Sequence, residues 1–161
     1  MNKFFILALV GGTVLIFDQM SKAYIDHAFA LHESLPVITG LFSITYVRNP
    51  GAAFGLFAQQ SESFRSILFS SVSIVALLLL GAMIYQTPKE ERGQIAAFSL
   101  LFGGAIGNTL DRIRMGEVID FLDFYIGQHH WPAFNVADSA ITIGTALLMF
   151  QMLIEKKKQA G

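Results

Sequence analysis

Four long apolar runs divide the chain. Phe4 to Phe17 carries no charge, and its helical pattern continues through Asp18 to about Ile25. Ser66 to Tyr85 is uncharged and rich in leucine, Gln94 to Leu110 is uncharged but shorter, and Phe134 to Ile154 holds one charge, Asp138. A membrane-spanning helix needs roughly 20 apolar residues, because each rises about 1.5 Å across a hydrocarbon layer of about 30 Å. The pattern predicts four spans, over about 4–25, 66–85, 94–110 and 134–154, with external segments 26–65 and 111–133. Inside those segments the period changes. Phe42, Ile44 and Tyr46 alternate with Ser43 and Thr45, which predicts a strand with two unlike faces. Val118 to Tyr125 reads as a second strand. Asn49-Pro50-Gly51 reads as a turn, and Gln59 to Arg65 as a short external helix leading into the second span. The expected fold is a mainly α membrane protein of four transmembrane helices, with a small outer sheet and a short external helix, forming one unit over residues 1–161.

Composition agrees with that pattern. Of 161 residues, 53% are hydrophobic and 14% charged, against about 25% charged in an ordinary soluble domain. The net charge of −1 leaves no footprint for nucleic acid. With no cysteine, the chain has no disulfide, thiolate metal site, iron–sulfur ligand or cysteine nucleophile. An even number of spans puts both termini on one side. Lys3, Lys89, Arg92, Lys156, Lys157 and Lys158 share that side, which the positive-inside rule makes cytoplasmic. Lys22, Arg48, Arg65, Arg112 and Arg114 lie outside or near the outer ends. Ala28-Phe29-Ala30 after the first apolar run looks like a signal-cleavage site, but Asp18, Lys22 and Asp26 intervene, so the run is expected to stay as a span.

The carboxylates are distributed unevenly. Glu90, Glu91 and Glu155 fall inside, and the other nine of the twelve fall outside or at the outer ends of spans. Polar groups near a bilayer are costly and mark functional sites by default. Asn108, Asp111 and Arg112 stand at i, i+3 and i+4 on one face of the third span. Asn135, Asp138 and Ser139 repeat that spacing on the fourth, and Asp18, Ser21 and Lys22 on the first. Asp18 with Lys22, and Asp111 with Arg112, have ready partners as structural ion pairs. Asp120 and Asp138 have none. Two carboxylates brought together resist double ionisation, so one can serve as base and the other as acid. Other features read as structural: Gly103 and Gly107 as a helix-packing pair, Ser139 as a donor to a helix carbonyl, and His129-His130 as a surface pair with too few partners for a metal.

Five motifs, in order along the chain, give these residues a family resemblance. They are Asp18-Gln19-Met20-Ser21-Lys22, Asn49-Pro50-Gly51-Ala52-Ala53-Phe54, Gly103-Gly104-Ala105-Ile106-Gly107-Asn108-Thr109-Leu110-Asp111-Arg112, Val118-Ile119-Asp120-Phe121, and Phe134-Asn135-Val136-Ala137-Asp138-Ser139-Ala140. The sequence resembles the lipoprotein signal peptidase (signal peptidase II) family of bacterial membrane aspartyl proteases. The resemblance implies four transmembrane helices, an extracytoplasmic β-cradle and a short external helix. It implies an aspartic endopeptidase that cleaves diacylglyceryl-modified prolipoproteins just before the lipidated cysteine, at the outer face of the bacterial inner membrane. By motif position Asp120 and Asp138 are the catalytic pair. Asn49, Asn108, Arg112 and Asn135 fall on polar active-site positions. Asp18, Lys22, Asp111, Gly51, Ala52 and Phe54 are supporting or substrate-binding residues. No metal, organic cofactor or obligatory protein partner is implied; the partners are the prolipoprotein and the bilayer. Asp123 is a carboxylate that the motif does not require. A proton- or ion-coupled transporter, or an assembly factor that docks through its outer sheet, would use the same carboxylates differently.

Overall fold

The computed structural model describes residues 2–51 and 60–159. The first helical rod runs Lys3–Ala28. It consists of α1 (Lys3–Ile6), a single π-helical turn (Leu7–Gly11) and α2 (Gly12–Ala28). β1 (Ser34–Ile38) and β2 (Phe42–Asn49) follow, then α3 (Glu62–Gln86), α4 (Arg92–Met115), β3 (Val118–Ile126), β4 (His129–His130) and α5 (Val136–Gln159). Lys3–Ala28, Ser63–Gln86 and Val136–Ile154 are long and apolar enough to cross a membrane. α4 falls short of that apolarity, and its position explains why. It packs against α5, α3, α2 and the π-helical turn, so neighbouring elements cover much of its surface. Ser99, Asn108, Thr109 and Asp111 are buried on it among those neighbours.

Small residues permit this central packing. A Cβ on Gly103 would stand 2.5 Å from the Gly11 carbonyl oxygen, so the backbones of α4 and the π-helical turn touch. The G-x-x-x-G spacing is thus a packing device, as its pattern suggests. At its far end α4 stops on Gly116, whose φ of +75° terminates the helix in the left-handed region. The chain then enters β3 directly.

The sheet has the order β1-β2-β3-β4, with every pairing antiparallel. The two strands read from the sequence are β2 and β3. β1 and β4 add to them, and neither carried a usable pattern. Every residue of β1 is exposed and Pro36 interrupts it, as suits an edge strand. The two faces expected of β2 are not continuous. Ile44 pairs with Leu122 and Val47 with Asp120, so β2 spends one extra residue there. That bulge buries Thr45 and Tyr46 together. Tyr46 joins Ile25, Ile119 and Phe121 in a core that fastens the sheet to the end of α2. The expected external helix also changes. Glu62–Arg65 form the first turn of α3, capped by Ser61, whose hydroxyl accepts from the Phe64 N–H at 3.2 Å. The part of that expectation falling on residues 52–59 lies outside the described residues.

Candidate active site

Asn135 starts α5 and organises the site. Its side-chain oxygen accepts from the Asp138 N–H at 2.8 Å, while an Asp138 carboxylate oxygen accepts from the Asn135 N–H at 3.3 Å. This is a reciprocal capping box with Asp in the fourth place. It fixes Asp138 in the first turn of α5, where the helix dipole favours negative charge. The amide nitrogen of Asn135 faces the other way. It donates to Asp120 at 2.7 Å, and at 3.2 Å to both the Asn108 side-chain oxygen and the Ile119 carbonyl. One asparagine thereby bridges Asp120 on β3 and Asp138 on α5.

Each aspartate has a second amide donor. Asn49 donates to the other Asp120 oxygen at 2.9 Å, and Asn108 donates to Asp138 at 2.8 Å. The bulge in β2 is what brings Asn49 there. Beyond it Asn49 pairs with Val118, on the same sheet face as Asp120; an unbroken strand would turn Asn49 to the opposite face. Asn49 also accepts from the Gly51 N–H at 2.9 Å. Gly51 has φ +86°, and a Cβ there would enter the Phe69 ring at 2.5 Å, so only glycine fits this turn.

The two aspartates differ in burial. Asp120 is 2% exposed, whereas Asp138 is half-buried. Asp138 opens into a groove of about 600 Å³ that Asn49, Trp131, Phe134, Ser139 and Ile143 help to line. Burial pushes the Asp120 carboxyl up to about 7, with the Asp138 charge adding to that effect and the Asn49 and Asn135 amides opposing it.

Behind the pair lies a buried ionic cluster. Lys22 uses all three of its N–H donors: to Asp18 at 2.9 Å, Asp111 at 2.8 Å and the Asn108 side-chain oxygen at 2.8 Å. Asp18 with Lys22 is the i, i+4 pair read from the sequence. Asp111 with Arg112 is not formed, because adjacent helix residues point apart and Lys22 takes Asp111 instead. Asp18 also accepts from the Ala137 N–H at 2.9 Å, which ties α2 to the start of α5. Arg112 donates to Ser73 at 3.3 Å and to the Asn108 carbonyl at 3.5 Å.

Ten of the twelve expected site residues are described, and their polar side chains converge on this end of the helices. Ala52 and Phe54 lie outside the described residues. Gln19 joins the same network, donating to Asp111 at 3.1 Å and accepting from Arg114 at 3.0 Å. Its place in the first motif was the only signal for it. Ser73 carried no signal, since a serine in an apolar helix is ordinary. Asp123 sits an odd number of residues from Asp120 and so faces away. It pairs with His130 at 2.9 Å, and His130 stacks on Tyr125. Ser139 donates to the Asn135 carbonyl at 2.9 Å, the helix-carbonyl bond expected of it. Among the described residues, no group of three or more His, Cys, Asp or Glu side chains is placed to hold a metal.

Comparison with known proteins identifies the family. Residues 10–154 match the family model described as signal peptidase (SPase) II. A lipoprotein signal peptidase of Syntrophus aciditrophicus (strain SB) is 48% identical over 161 residues, covering 99% of this chain and 100% of that protein. Two solved structures, both bacterial membrane enzymes obtained by the in meso method, are also similar. The one at 2.3 Å has a TM-score of 0.84 at 35% identity, covering 94% of this chain and 90% of that one. The one at 1.9 Å has a TM-score of 0.81 at 36% identity, covering 91% and 92%. The chain belongs to the signal peptidase II family and is an aspartic-type membrane protease.

Proposed function

We propose that this chain removes the signal peptide from diacylglyceryl-modified prolipoproteins, with Asp120 and Asp138 as the catalytic pair. One observation supports the reading most directly: Asn135 donates to both carboxylates, by its side-chain amide to Asp120 and by its backbone N–H to Asp138, beside a groove that reaches exposed Ile143 on α5. A lipid-anchored substrate can approach along that helix face. The anchor confines the scissile bond to the membrane surface and supplies remote binding energy for its positioning.

The pair works with one proton. Asp138, open to the groove and at the start of α5, carries the charge and takes a proton from water. Asp120 gives its proton to the substrate carbonyl oxygen, and a neutral tetrahedral diol forms. The diol then returns a proton to Asp120, Asp138 protonates the departing nitrogen, and the carbon–nitrogen bond breaks. The products are a carboxyl on the signal peptide and a free amine on the lipidated cysteine. Asn49, Asn108 and Asn135 hold the carboxylates, while Arg112 and Lys22 offset their charge. Asp18 and Asp111 fix Lys22. Gly51 makes the turn beyond Asn49, and Ala52 and Phe54 belong to the substrate-binding set by motif.

The same reading makes α4 a fourth span and residues 1–161 a single unit in the bacterial inner membrane. Both termini face the cytoplasm and the site faces outward. Its test is cleavage of a lipobox peptide in micelles containing EDTA, with and without the diacylglyceryl group. Wild type should cut only the lipidated peptide, and Asp120→Asn and Asp138→Asn should lose at least a thousandfold while folding normally. Full activity in either variant removes that residue from the pair.

A further inference from the structure

The bulge that aims Asn49 has its own anchor. At Tyr46 the backbone turns away from β3. The Tyr46 N–H donates to the Glu33 carbonyl at 2.9 Å, and the Tyr46 carbonyl accepts from the His32 N–H at 2.8 Å. The ring is buried in the core with Ile25, Ile119 and Phe121. The phenol donates to Asp26 near the end of α2 and accepts from Arg48 Nε at 2.9 Å. Arg48 Nη2 closes the triangle on Asp26 at 3.2 Å. Arg48 immediately precedes Asn49, and Asn49 holds Asp120.

We propose that Asp26, Tyr46 and Arg48 form a positioning latch for the catalytic pair, holding the β2 bulge in the register that aims the Asn49 amide at Asp120. None of the three contacts the aspartates through a hydrogen bond; they act through Asn49. The inference rests on the reading of Asp120 as catalytic.

The latch has a readout that a merely structural role lacks. The Asn49 amide opposes the rise that burial imposes on Asp120. A misaimed Asn49 therefore lets Asp120 keep its proton to higher pH. The other groups that face Asp120 are Asn135, Asp138 on α5, Lys22 on α2 and Arg112 on α4. None of them is hydrogen-bonded or ion-paired to Asp26, Tyr46 or Arg48, so Tyr46→Phe leaves their own bonds in place. Asp26 itself faces Tyr46, Arg48 and His27.

The experiment uses the full-length protein in micelles with a lipidated lipobox peptide. Tyr46→Phe keeps the core ring and removes both phenol bonds. We expect kcat to fall about tenfold, KM to hold within about twofold, and the alkaline limb of the pH profile to move upward. Asn49→Ala should do the same, and the double variant should be no worse than Asn49→Ala alone, because both act on one interaction. Asp26→Asn, which keeps an acceptor oxygen, provides a milder variant should Tyr46→Phe unfold, and it should shift the limb in the same direction. Additive losses in the double variant, or reduced kcat with an unmoved alkaline limb, overturn the latch. Asp120→Asn is run alongside: retained activity there defeats the catalytic reading, whereas an inactive Asp120→Asn with additive latch variants defeats only the latch.

Discussion

Asp120 is a carboxyl whose proton persists to about pH 7, against 3.8 for an ordinary aspartate. Burial is the main cause, with the Asp138 charge next to it. The sign of the pH dependence follows. On the proposed mechanism the pair needs one proton, and above about pH 7 Asp120 loses it and has no acid to offer the substrate carbonyl. Activity on the lipidated peptide should fall on the alkaline side with an apparent midpoint near 7, a property of the coupled pair. A kcat/KM profile flat to pH 9 would contradict this. The same linkage applies to folding: between about pH 4 and 7 the native state holds a proton that the unfolded chain releases, so this contribution should be full below about pH 4 and lost as pH rises through about 7. Asp123 provides the control. It lies three residues from Asp120, on the other sheet face, paired with His130. Asp123→Asn should keep activity within about twofold of wild type, and a large loss would show that the wrong β3 carboxylate has been assigned to the pair.

At the scale of elements, the start of α5 serves two purposes through one residue. Asn135 caps the helix with its oxygen and holds Asp120 with its nitrogen. The two roles separate by substitution. Asn135→Ala should lose both, with about 1 kcal/mol of stability from the missing cap and at least tenfold in kcat. Asn135→Ser restores a capping oxygen but supplies no amide, so its melting temperature should recover while its kcat does not. Joint recovery would mean that the Asp120 contact is incidental. The sequence displayed part of this design. The i, i+3, i+4 spacing of Asn135, Asp138 and Ser139 was legible, and so were β2 and β3, since helical and strand periods leave direct traces. The bulge was not legible, because one extra residue in a strand alters pairing without altering composition. Nor was β1, because a fully exposed edge strand has no buried face to pattern. Lys22 as partner to Asp111 was hidden for a third reason: sequence spacing shows neighbours along one helix, such as Asp18 and Lys22, and the contact with Asp111 joins two helices.

The whole molecule is arranged around its least lipid-like helix. α4 lies among α2, α3 and α5 and carries Asn108, Asp111 and Arg112 to the end where the sheet stands. Its 24 residues give a rod of roughly 36 Å, longer than the roughly 30 Å hydrocarbon layer. Length and neighbours therefore suit a crossing even though composition alone falls short. A helix that others surround needs small and polar contact residues more than apolar ones, so hydropathy understates it. If α4 crosses, the turn before it and the hairpin after it lie on opposite sides of the membrane. The absence of cysteine makes this directly measurable, since any introduced thiol is the sole target for labelling. Lys89→Cys lies in the α3–α4 connection, Gln128→Cys in the β3–β4 turn and Lys156→Cys near the end of α5. In intact spheroplasts an impermeant maleimide should label position 128 and spare 89 and 156 until the membrane is opened. Labelling of both 89 and 128 from outside would mean that α4 does not cross, and the groove beside Asp138 would then need a different relation to the lipid surface. Labelling of 89 and 156 with 128 protected would keep four crossings but place the aspartates on the cytoplasmic side, where a substrate presented at the outer surface could not reach them.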